Sequence, residues 1–182
     1  MNRPAQTTNT LGRHIRDIIL GGQDGLVNVL GVALGVAAAS NSPRLVLAAG
    51  LAAAFAESFS MAAVAYTASE AERDYRRASR RAPQINQTNQ VDGEPASPAQ
   101  SALVVGVAAI IGSIIPLLPF VWLAISLAIP TAIVLSAIAL FLLGAMKARV
   151  TIGSWQKSGL EIVVIGLLAA LVGYLVGLVF KM

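Results

Sequence analysis

The chain has 182 residues, 56% of them hydrophobic and 12% charged, with a formal net charge of +4 and a mean hydropathy of +0.73. Soluble domains carry about 25% charged residues, so an ordinary soluble enzyme and a disordered tail are both excluded. With no cysteine and one histidine, His14, disulfide frameworks, thiolate zinc sites and iron–sulfur clusters are excluded as well, which leaves an all-α polytopic membrane protein.

Residues 1–17 read as a polar N-terminal segment, and 18–182 as one transmembrane domain. Five apolar stretches approach the ~20 residues that a bilayer-spanning helix needs: 18–40, 45–66, 101–120, 122–146 and 160–180. Asn41-Ser42-Pro43, the corner at 116–122 and the stretch 147–158 are short connections, and short links make consecutive helices antiparallel. The polar loop 69–100 differs in kind. Its first part, SEAERDYRRASRR at 69–81, is a charged helical continuation of the second span, and 82–98, rich in Pro, Gln and Asn, is a linker. Pro130 is expected to kink the fourth span. No internal repeat is evident.

Eleven of the thirteen basic residues fall on one side of this layout; only Arg44 and Lys181 fall on the other. The positive-inside rule places the basic side in the cytosol, so the N-terminus and long loop are expected inside and the C-terminus outside. The same placement accounts for the net charge without a nucleic-acid partner. Trp122 and Trp155 fall at opposite interfaces, where indoles prefer to sit. Arg13 and Arg16 before an apolar run ending Ala37-Ala38-Ala39 also imitate a cleavable leader, but such a leader would discard Asp24.

Ionisable groups inside a span cost at least ~2.5–3.5 kcal/mol on insertion scales and mark function by default. Asp24 in the first span and Glu57 in the second qualify. Asp24 stands 17 residues before Asn41 and Met61 stands 17 after Arg44, each roughly 25 Å down at ~1.5 Å per residue. Antiparallel helices therefore bring Asp24 and Met61 to one level, with Glu57 one turn further out on the face of Met61. Carboxylate oxygens with a thioether suit a borderline divalent metal, and the same acids can carry protons. Asn28, Ser58, Ser60 and Tyr66 are candidate supporting partners. A single chain offers few such groups, and a symmetric dimer would double them. Plainer readings exist: Met61 as packing, Asp24 paired with Arg13 or Arg16, and Glu161 as a favourable charge at the start of the last helix. Gly31 and Gly35, and Gly173 and Gly177, are small-xxx-small pairs that bring helices close without saying which.

The stretches DGLVNVLGVALGVAAA (24–39) and AGLAAAFAESFSMAAVAY (49–66) resemble the first two helices of the vacuolar iron transporter family. PLLPF (116–120), LFLLGAMKARVT (140–151) and GLLAALVGYLVGLVF (166–180) extend the resemblance over most of the chain. It implies a five-helix homodimeric exporter of Fe(II), and often Mn(II), with protons as counter-ion and no permanently bound cofactor. Asp24 and Met61 match the family's ion-path aspartate and methionine, with Glu57 a departure that supplies a carboxylate from the next turn. The family's glutamate-rich cytosolic insert is absent: Glu70, Glu72, Asp74, Asp92 and Glu94 stand among five arginines instead. The resulting expectation is a metal exporter of a bacterial plasma membrane. Two rivals use the same residues differently: a proton-coupled exporter of organic cations, and a non-transporting adaptor that docks a partner through 73–81. No nucleophile–base pair suggests an enzyme.

Overall fold

A computed structural model describes residues 6–81, 97–150 and 154–181. These form α1 (Gln6–Ser40), α2 (Pro43–Arg81), α3 (Pro98–Leu117), the single turn α4 (Pro119–Trp122), α5 (Ile125–Val150) and α6 (Trp155–Val179), with no strand among the described residues. The five long helices are each long and apolar enough to cross a bilayer. The all-helical, five-span expectation is met. The proposed linker at 82–98 lies outside the described residues but for Ser97 and Pro98.

Helix ends follow local chemistry more closely than hydropathy. α1 stops where Asn41 adopts a left-handed φ of 48° and its N–H bonds the Ala37 carbonyl at 3.3 Å, a conformation that asparagine tolerates after a helix. Pro43 then opens α2, its missing N–H harmless at that position. The charged continuation is helical to Arg81, with Arg76 paired to Glu72 at 2.6 Å one turn away. The third span, expected to reach Phe120, ends at Leu117 instead, because Pro119 starts a separate turn. Leu123 is extended, and α5 begins only at Ile125. That turn buries Phe120 at 2% exposure while Trp122 stays 76% exposed. α5 continues on both sides of Pro130. α6 starts at Trp155, so Glu161 lies in its second turn and not at its first, correcting its reading as an N-terminal charge.

α1 is the hub, packed against α2, α3, α5 and α6. Its residues Val29, Leu30, Ala33, Leu34 and Ala37 anchor the main core with Val46, Leu117, Phe120, Ala128 and Ala170 from its neighbours. Lipid tails are as apolar as leucine, so helices in a bilayer associate through close packing, which favours small residues at contacts. The glycine pairs resolve accordingly: Gly31 and Gly35 of α1 meet Gly173 and Gly177 of α6 backbone to backbone. Nearer the N-terminus of α1, Gly21 and Gly25 press on Val105 and Ala109 of α3. α1 is thus gripped by α6 in one half and by α3 in the other.

Candidate functional site

Within the spans α1 shows one exposed stripe. Leu20 and Val32 are exposed at its ends, with Asp24 half-buried and Asn28 exposed between them. Residues four apart stack on one helix face, so these four residues form a single outward-facing stripe on α1.

α2 lies beside it, placed by its own periodicity. Val46, Gly50, Ala54 and Ser58 form its buried stripe. Gly50 sits against the Leu117 side chain and Ser58 against Gly106 of α3. Glu57 and Met61 flank that stripe, both half-buried. The tight hairpin sets the register, since Asn28 lies 13 residues before Asn41 and Glu57 lies 13 after Arg44. The two meet: Asn28 Nδ2 donates to Glu57 Oε1 at 2.6 Å. Asp24, one turn nearer the N-terminus on the same face of α1, lies close enough to Glu57 for their charges to interact. Met61 occupies the α2 position one turn past Glu57 on the same face.

The remaining proposed partners stand apart from this cluster. Ser58 is buried, and its hydroxyl donates to the Ala54 carbonyl of its own helix at 2.6 Å. Ser60 and Tyr66 are exposed, and nine residues of helix place Tyr66 about 180° around α2 from Glu57. Asp24 forms no ion pair among the described residues; the two that are seen, Arg76–Glu72 and Arg77–Asp74, lie on the charged end of α2. Asn28, assigned a supporting role from sequence, is the direct partner of Glu57. The register that aligns Asp24 with Met61 also aligns Asn28 with Glu57, so the signal was present.

Chemically, the seam offers two carboxylates, an amide and a thioether on neighbouring helices. No group of three or more His, Asp or Glu side chains that could hold a metal occurs among the described residues. Asp24 and Glu57 are two acids, fewer than such a group needs. The seam is also open: beyond it on α2, Phe55 is 55% and Phe59 77% exposed. Polar groups facing hydrocarbon are costly, so intramembrane acids turn toward protein or water.

Comparison with known proteins gives a consistent result. A family model described as the VIT family matches residues 15–96 and, in a second overlapping match, 84–178. A vacuolar iron transporter 1 from Oryza sativa subsp. japonica is 28% identical over 213 aligned positions, covering 91% of this chain and 84% of that protein. The vacuolar iron transporter 1 of Arabidopsis thaliana is 26% identical, covering 88% of this chain and 84% of that protein.

Proposed function

The chain belongs to the VIT family, and from that premise we propose that it is a metal-ion transporter, a homodimer exporting Fe2+ or Mn2+ from the cytosol in exchange for protons. The observation that carries the reading is the Asn28–Glu57 bond with Asp24 in reach, within bilayer-crossing helices. Two acids in low-dielectric surroundings repel unless a proton or a cation stands between them. That makes proton and metal alternative occupants of one place, which is the requirement for exchange.

The ion enters from the basic side, taken as the cytosol, meets Asp24 and Met61, and passes Glu57 toward the outer face. Oxygen ligands suit Mn2+, and the Met61 sulfur draws the preference toward Fe2+. A second copy laid over the open α1–α2 face would cover the seam and contribute its own Asp24, Glu57 and Met61, as a two-fold interface does by symmetry. The metal is cargo, with no resident cofactor. The membrane is assigned as a bacterial plasma membrane, with the N-terminus and long loop cytosolic.

The test is flux into proteoliposomes under an imposed pH gradient, comparing Fe2+, Mn2+, Co2+ and Zn2+. Fe2+ or Mn2+ should move fastest, the gradient should speed it, and protons should move the opposite way. Met61→Leu should impair metal flux; a carrier of organic cations would tolerate it. Absence of metal flux with or without the gradient would overturn the proposal.

Asn28→Ala has a smaller expected effect. It removes the donor that orients Glu57 and leaves both acids in place. Loss of such an orienting partner typically costs 10–100-fold in metal affinity, so the KM for metal flux should rise about ten-fold with little change in maximal rate. An unchanged KM would show that Glu57 needs no orientation by α1.

A further inference from the structure

We draw no further inference here: the strongest candidate, the apolar groove between α3 and α5 over Gly22 of α1, carries none, because nothing in the structure shows what covers it.

Discussion

Glu57→Gln is expected to lower metal flux by at least about a hundred-fold while leaving the protein in the membrane at normal levels. Glutamine keeps the shape of the side chain and a carbonyl oxygen that can accept from Asn28 Nδ2, the bond that ties α1 to α2 at 2.6 Å. Only the charge is removed. At an effective dielectric of about 20, a unit charge at about 4 Å is worth about 4 kcal/mol to each unit of charge on a cation. Every 1.4 kcal/mol is a factor of ten, so a hundred-fold loss already allows most of that attraction to be replaced by water and by Asp24. Asp24→Asn should behave alike, and the two together should be little worse than either, because they act as one pair. The measurement is Fe2+ and Mn2+ flux in proteoliposomes, with metal tolerance of expressing cells as the companion assay. Full flux in both single variants would remove the shared-carboxylate mechanism, whatever else the protein carries.

The same residues show what the sequence makes legible. The five spans follow from uninterrupted apolar runs, and the α1–α2 register follows from a hairpin too short to slip, so the approach of Asp24 and Asn28 to Glu57 could be located by counting residues. Helix ends were harder. Hydropathy marks where a helix leaves the bilayer, whereas α1 begins at Gln6 and α2 continues to Arg81, because polar residues outside the membrane sustain helix as well. The break before Pro119 depends on backbone chemistry that the apolar run through Phe120 conceals. Partner choice was not legible at all. Small-xxx-small spacings occur on α1 and α6, and also at Ala108 and Gly112 of α3, and nothing in the pattern pairs one helix with another. The central position of α1 is a consequence of that pairing.

Gly177 gives that pairing its sharpest test. A methyl built on Gly177 would fall inside the contact radius of the Gly35 carbonyl oxygen, and one on Gly35 would stand 2.9 Å from the Gly173 carbonyl. These obstacles are backbone atoms, which cannot rotate away as a side chain could. Gly31 sits in the same contact, yet its added methyl would meet only the Ala169 carbonyl at 3.8 Å, an ordinary separation. Gly31→Ala should therefore be neutral or slightly stabilising, since alanine favours helix by up to ~1 kcal/mol over glycine. Gly177→Ala should destabilise despite the same propensity gain, and Gly177→Val more so. Overpacking of this kind costs about 1–3 kcal/mol, and a chain of this size loses about 2–4 °C of melting temperature per kcal/mol. A drop of about 5–10 °C is expected for Gly177→Val, read by thermal scanning of the purified protein. Because α6 grips the helix that carries Asp24 and Asn28, flux should fall with it, although the substitution lies several turns from either residue. Equal melting temperatures for Gly31→Ala and Gly177→Ala would mean that the two helices do not meet at this contact, and the placement of α1 between α3 and α6 would have to be redrawn.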